Sequence, residues 1–495
     1  MSQSKRLTPR LFPLLAALLA LAGCSVAPPY ERASVDTPAA FKEAALAGQW
    51  KTAEPAEAVA RGDWWTVFAD PTLDRLEAQA ADANQDLQAG LARLAQARAV
   101  LQGARAGLFP RVDVGAGATR QRASPASQGL AADAESEAST LWRAQATVAY
   151  EADLFGRISS TVDAASATTQ QQEALFRSLQ LAIQADVAQA YFSLRELDSM
   201  VALYADTVSL REQNLRLFQR RFDEGDISEL ELSRVRTELA SARSEAVGIA
   251  RQRAVAEHAL AILLGQAPAA FAMMAQPLAR VTVSVPAGLP SDLLERRPDI
   301  AAAERAMAAA NARIGTARAA FFPRFDLTGA FGYESADLGD LFKWSSRSFL
   351  LGPLVGTMLS LPVFDGGARQ AGVDRATAAY QEDVANYRQS VLRAFKEVED
   401  NLVNLRLLGD QTQAQGEAVQ SARRAARLSQ IQFREGSISY LGVIDADRSV
   451  LQQQRVAVSL DAERARATVN LIRAIGGGWG NEVNAKAGSK SASVR

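Results

Sequence analysis

Two hydrophobic periods organise this chain. From Leu141 to Asp153 apolar and polar positions alternate. Trp142, Ala144, Ala146, Val148, Tyr150, Ala152 and Leu154 share one face, with Arg143, Gln145, Thr147, Glu151 and Asp153 on the other. A period of two with one apolar face is the pattern of a half-buried strand or a barrel stave. Phe325 to Tyr333 repeats it, with Phe325, Leu327, Phe331 and Tyr333 against Asp326, Thr328 and Glu334. Leu108 to Thr119 and Leu350 to Leu361 are the other strand candidates, the latter interrupted by Pro353. Each has about the length a tilted strand needs to cross a membrane. Gln121 to Thr140 and Ser335 to Ser348, between the paired strands, read as polar loops.

The second period is helical. A helix begins near Arg369 and runs to about Phe433 without an internal Pro, with Gly416 as a late interruption. Tyr380, Val384, Tyr387, Val391, Phe395, Val398, Leu402 and Leu405 step by three and four, which is a coiled-coil seam. A helix from about Arg157 matches it in length, with Phe176, Leu179, Ile183, Val187, Tyr191, Leu194, Leu197 and Val201. Each turns at Glu-Gly. Gly225 and Gly436 suit left-handed caps after a helix end. Asp226 or Ser228, and Ser437 or Ser439, can cap the returning helices, and Ser228 with Glu231 has capping-box spacing. The returning helices end near Gly265 and Gly476.

Strand pair and long helical hairpin occur twice. Ala106-Gly107-Leu108-Phe109-Pro110-Arg111-Val112-Asp113 returns as Ala319-Ala320-Phe321-Phe322-Pro323-Arg324-Phe325-Asp326. Leu154-Phe155-Gly156 returns as Val363-Phe364-Asp365-Gly366, and Phe222-Asp223-Glu224-Gly225 as Phe433-Arg434-Glu435-Gly436. Matches in one order at near-constant spacing mark a duplicated unit. The organisation that follows is a signal segment over 1–23, an extended segment over 24–62, a first repeat over 63–287, a second over 288–476, and a disordered tail over 477–495. Ahead of the first strand, Asp63 to Leu73 is aromatic. Trp64, Trp65 and Phe68 read as packing anchors, and Pro71 as a first helical residue behind an Asp70 cap. A helical stretch then runs to about Gly103.

Lys5, Arg6 and Arg10 precede an apolar run from Leu11 to Leu21, too short to span a bilayer and typical of a secretory signal. Leu21-Ala22-Gly23-Cys24 follows, and Cys24 is the only cysteine of the chain. The tetrapeptide resembles a bacterial lipobox, which implies lipidation of Cys24, and Ser25 in the next position points to the outer membrane. Charge adds little: 54 Lys and Arg face 55 Asp and Glu, with no basic tail, so nothing suggests nucleic acid. No further apolar stretch is long enough for a transmembrane helix. No catalytic constellation is evident. His258 is the single histidine, so a usual metal site lacks partners, and no cofactor loop is found.

Four strands cannot close a membrane barrel, because open edges are not tolerated in lipid. The chain must share one. Three copies give twelve strands and a ring of helical hairpins. The expected fold class is mixed: a trimeric outer-membrane β-barrel continued by a long α-helical coiled-coil barrel, internally duplicated. The stretch Trp64-Trp65-x-x-Phe68-x-Asp70-Pro71-x-Leu73 resembles a signature of TolC-like outer membrane factors. So does Gly288-Leu289-Pro290-Ser291-Asp292-Leu293-Leu294-Glu295-Arg296-Arg297-Pro298-Asp299-Ile300. With the lipobox they resemble the lipoprotein branch of NodT or OprM type. The resemblance implies a homotrimeric exit duct for small molecules, served by a periplasmic adaptor and an inner-membrane RND-type transporter. Alternatives are a duct for type I protein secretion or metal efflux, or a non-channel periplasmic coiled-coil lipoprotein.

Leu441, Asp445 and Arg448 share one helix face just after the Gly436 turn. From spacing alone they read as a buried Leu and a local Asp–Arg pair of small energetic value. The stretch Phe433 to Arg448 resembles the family's gate segment. That resemblance places Leu441 on an apolar ring, Asp445 on an acidic ring selecting against anions, and Arg448 as the basic partner of Asp445. The first repeat has Leu230 at the equivalent of Leu441 but Arg234 at that of Asp445, so the acidic ring would be threefold. Phe433 stands where relatives often have Tyr.

Overall fold

The computed structural model describes residues 26–38, 40–43, 63–129, 131, 135, 137–279, 281, 293–294, 296–352 and 359–477. The expectations for the signal segment, Cys24, residues 288–292 and 295 of the Gly288 to Ile300 stretch, Pro353 and the tail after Gly477 lie outside these residues. The chain divides into two compact units. The first comprises Met1–Ala33, Leu94–Gln172 and Ala303–Tyr387, and the second Ser34–Arg93, Glu173–Ala302 and Arg388–Arg495. Each unit draws on both sequence repeats.

The first unit holds the sheet. Strands β1 (Arg111–Gln121), β2 (Ser139–Ala152), β3 (Arg324–Ser335) and β4 (Arg347–Leu351) pair antiparallel in that order, and β5 (Leu359–Ser360) pairs with the start of β3. The register aligns Val114 with Ala146 and Ala146 with Phe331, and it sets Asp113 beside Thr147. The alternation read from β2 therefore continues across its neighbours. Val112, Val114, Trp142, Val148, Tyr150, Leu327, Phe331, Tyr333 and Phe349 share one face. The opposite face carries Arg143 bonded to Glu334 at 2.9 Å and Gln145 bonded to Ser348 at 3.1 Å. The apolar face is open in one chain: Val114 is 85% exposed and Phe349 75%.

Two expectations for this unit need correction. The fourth strand, expected over Leu350 to Leu361 with an interruption at Pro353, begins earlier at Arg347, and among the described residues it pairs with β3 over Arg347–Leu351 and Leu359–Ser360. From Leu351 to Leu359 the chain advances eight residues, while their partners Gly329 and Phe325 are four apart, so a single register cannot carry it through. The second connecting loop is not simply polar. It folds through two short 3-10 turns, buries Leu341, and sets Phe342 edge-on to Tyr333 at 5.6 Å. An extended N-terminal segment packs on this unit's helices. Tyr30 donates to Glu304 at 2.8 Å, and Arg32 to Tyr387 at 3.1 Å.

The second unit begins with a 3-10 turn at Trp64–Phe68 and helix α1 (Pro71–Ala83). Asp70 Oδ1 accepts from the amides of Thr72 at 2.9 Å and Leu73 at 3.4 Å, the N-cap expected before Pro71. The helical stretch expected to run on to Gly103 is instead two helices, because Asn84 breaks it. Asn84 is extended (φ −65°, ψ 125°). It caps α2 (Gln85–Ala106) through Oδ1, which accepts from Asp86 and Leu87, and ties the break to the Leu263 carbonyl at 2.8 Å. Trp64, Trp65, Leu73, Leu76, Val187, Tyr191, Leu194, Leu260 and Ile472 form one core, so the aromatic signature near the N-terminus is packing. Glu77 is buried beside them, and neither carboxylate oxygen has a hydrogen-bond partner among the described residues. Burial, with Asp74 close by, pushes its carboxyl up to about 9.

The hairpin helices are α3 (Arg157–Asp223) with α4 (Glu229–Leu263), and α6 (Ala368–Arg434) with α7 (Tyr440–Ala474). Helix α5 (Pro298–Ala319) precedes β3. Helices α3 and α6 have 67 residues each, about 100 Å at 1.5 Å per residue. Their seams are buried over the middle of each heptad run and half-buried at both ends, as at Phe176, Val201, Tyr380 and Leu405. Ile183, Val187, Tyr191 and Leu194 are buried on α3, as are Tyr387, Val391 and Val398 on α6. Among the described residues no helix is long and apolar enough to cross a membrane.

Candidate gate site at the hairpin tips

Both tips are built by the same local chemistry. Gly225 (φ 83°) and Gly436 (φ 75°) take the left-handed conformation that ends α3 and α6. The amides of Asp226 and Ser437 reach back to the carbonyls of Arg221 and Gln432, at 2.8 and 2.9 Å, closing a Schellman turn at each tip. Ser228 then caps α4 in a full capping box with Glu231. Ser439 holds the matching position on α7 but makes no side-chain cap bond.

The tips pack on each other through an aromatic cluster. Phe218 lies 4.0 Å from Tyr440 and 6.2 Å from Phe433, and Phe433 lies 5.3 Å from Tyr440, measured between ring centroids. Leu232, Val235, Val443 and Ile444 complete the cluster. Phe433 thus acts by stacking where a Tyr would bring a hydroxyl. Burial, then the Asp447 charge, pushes the Tyr440 phenol up to about 12. Burial likewise raises the Asp447 carboxyl, opposed by Arg211 and a hydrogen bond with Gln430.

The predicted residues lie beside this cluster. Leu441 is 41% exposed, and its repeat equivalent Leu230 is 60% exposed. Both line one cleft of about 360 Å³, together with Arg234, Thr237, Glu238 and Arg448. The Asp445 and Arg448 side chains are also more than half exposed and approach to 3.5 Å. The closer partner of Arg448 is one that sequence reasoning missed. Its Nη2 donates to the Glu238 carboxylate on α4. Glu238 is itself buried. Its other oxygen lies 3.2 Å from Arg211, whose Nη1 also donates to the Glu238 carbonyl at 2.7 Å. A signal was present: Glu238 interrupts the apolar stripe of Leu232, Val235, Leu239 and Ala242.

A sheet with one apolar exposed face, joined to duplicated helical hairpins with charged tips, defines an outer-membrane channel protein extended by helices. The chain belongs to the outer membrane efflux protein family, which it matches twice, over residues 76–266 and 289–477. It is 35% identical over 482 residues to the toluene efflux pump outer membrane protein TtgC of Pseudomonas putida, with 96% of each chain covered. It is 36% identical over 464 residues to the outer membrane protein OprJ of Pseudomonas aeruginosa, covering 93% of this chain and 94% of that one. The solved structure of the outer-membrane channel OprN superposes with a TM-score of 0.82 at 29% identity, covering 92% of this chain and all of OprN. The protein is accordingly an outer-membrane protein reaching into the periplasm, of mixed barrel-strand and helical-hairpin fold.

Proposed function

We propose that three copies of this chain close a twelve-stranded barrel and a helical tube that together form the exit duct of a tripartite efflux pump. One observation carries the proposal. Among the described residues the sheet of a single chain has two edges, β1 on one side and β4 with β5 on the other, and each of these strands has one partner. Open edges are not tolerated in lipid, so other copies must complete the ring. The duct conducts passively and supplies no chemistry of its own. A periplasmic adaptor joins it to an inner-membrane RND-type transporter, which provides the energy. Small apolar toxic molecules are the cargo, in keeping with the toluene pump named among its relatives. Lipidation at Cys24 adds an anchor to the affinity of the strands. Stable anchoring needs more than one attached chain.

In this reading the hairpin tips form the periplasmic gate. Three Leu441 side chains, backed by Leu230, narrow the passage, and three Asp445 carboxylates make it unfavourable to anions. Arg448, held to Glu238, keeps each second-repeat tip against the first. The test is drug accumulation in cells lacking their own duct. Supplying this protein with its adaptor and transporter should lower accumulation, and leaving out either partner should abolish the effect. Equal export without the adaptor and transporter would contradict the assignment.

A further inference from the structure

The loop end of the sheet carries a feature that the duct reading does not use. Register assigns Arg120, Trp142, Tyr333 and Arg347 to the apolar face, at the end of the strands away from the helices. Phe342 packs on the Tyr333 ring and the Arg347 guanidinium lies over Trp344, so both loop aromatics belong to that side. Phe342 is 72% exposed and Trp344 76% exposed. Arg120 and Arg347 are exposed, and among the described residues no carboxylate pairs with either. Lys343, in contrast, is held by Asp340 at 2.5 Å. At the helix end of the same face the positions are Val112, Tyr150, Phe325 and Leu359, with no cation. The nearby arginines, Arg111 and Arg324, fall on the polar register.

Apolar side chains at membrane depth, capped at one end by aromatics and by guanidinium groups without a carboxylate partner among the described residues, Arg347 being steered by a 3.0 Å bond from Nε to the Trp344 carbonyl, match a lipid with apolar acyl chains and a phosphate-ester headgroup. Aromatic rings sit at the headgroup level, and arginine forks engage phosphate oxygens in pairs. The helices occupy the periplasmic end, so the loop end faces the exterior. We infer that Arg120, Arg347 and Trp344 form a docking surface for the phosphorylated, multiply acylated glycolipid of the outer leaflet. The inference rests on the membrane-spanning reading of the sheet. It goes further by assigning the cations to phosphate recognition rather than to general interfacial anchoring. Because β1 and β4 are opposite edges, closure of a shared barrel would bring Arg120 of one copy toward the seam that carries Arg347 of the next.

Native mass spectrometry of the detergent-solubilised protein tests this. The probes are a bisphosphorylated hexa-acyl glucosamine disaccharide, its dephosphorylated form, and phosphatidylglycerol. The wild-type protein should retain the bisphosphorylated lipid about tenfold better than either of the others, as expected for charge-assisted contacts by two guanidinium groups. Arg120→Ala with Arg347→Ala should remove that preference, and Lys343→Ala should leave it intact. Channel conductance in bilayers, retained by the double variant, confirms that the barrel itself stands. Equal retention of phosphorylated and dephosphorylated lipid by the wild type, equal retention of phosphatidylglycerol, or an undiminished preference in a conducting double variant would each overturn the inference.

Discussion

Arg448 on the second hairpin donates to the buried carboxylate of Glu238 on the first, while Asp445, on its own helix, stands 3.5 Å from the same guanidinium. The two contacts differ in weight. Asp445 and Arg448 are both largely exposed, and exposed pairs contribute little. Glu238 is 8% exposed and already bound by Arg211, so its bond to Arg448 fastens one tip to the other.

Neutralising that carboxylate should loosen the tips while leaving the constriction residues in place. Glu238→Gln is expected to raise open-channel conductance severalfold in planar bilayers, in a trimer of unchanged mass. Arg448→Gln should do the same. The double variant should match either single one, because both remove one shared interaction. Additive effects would show that Glu238 and Arg448 act independently.

Glu77 makes a separate prediction about stability. Its carboxyl sits at about 9 in the folded chain against an ordinary 4.5, raised by burial and by Asp74. A group raised on folding stabilises fully below its unfolded value, and that contribution is lost as pH climbs through the folded value. The window is therefore about 4.5 to 9. Glu77→Leu should raise the thermal midpoint at pH 8 by a few degrees, fill the apolar site, and flatten the fall in stability between pH 5 and pH 9. Differential scanning fluorimetry across that range measures it.

Much of this architecture was legible in residue order because two periods hardly overlap. The alternation from Trp142 to Ala152 could belong only to a strand, and the register confirms which side each residue takes. Gly225 and Gly436 announced the tips because few other residues accept the left-handed backbone there. What escaped depends on contacts between distant segments. Asn84 breaks a helix by capping the next one and binding Leu263, a partner far along the chain. Glu238 interrupts the apolar stripe of its helix, but its role depends on Arg211 and Arg448 arriving from two other helices.

The register also fixes how the strand should meet lipid. Ala146 lies between Val114 and Phe331, and Thr147 between Asp113 and Ala330. Spin labels at 146 should be quenched by lipid-soluble oxygen, and labels at 147 by a water-soluble nickel complex. Equal responses at the two positions would argue against a barrel stave, because one residue of slip exchanges the faces.

Cys24 should carry the lipid and begin the mature chain. Mass spectrometry of the purified protein is expected to find a diacylglyceryl and acyl modification on that residue. Cys24→Ser should block both modification and normal processing. Channel assembly should persist in the variant, since the strands hold their own apolar face. An unmodified Cys24, or a mature terminus elsewhere, would refute the lipoprotein reading.

A gated duct is the centre of this account, and single-channel recording tests it most directly. Purified wild-type trimers in planar bilayers should show small, infrequent conductance. Leu441→Ala with Asp445→Ala should raise the conductance severalfold and, in cells, admit vancomycin. Unchanged conductance and unchanged vancomycin resistance in a correctly assembled double variant would contradict the placement of these residues at a gate.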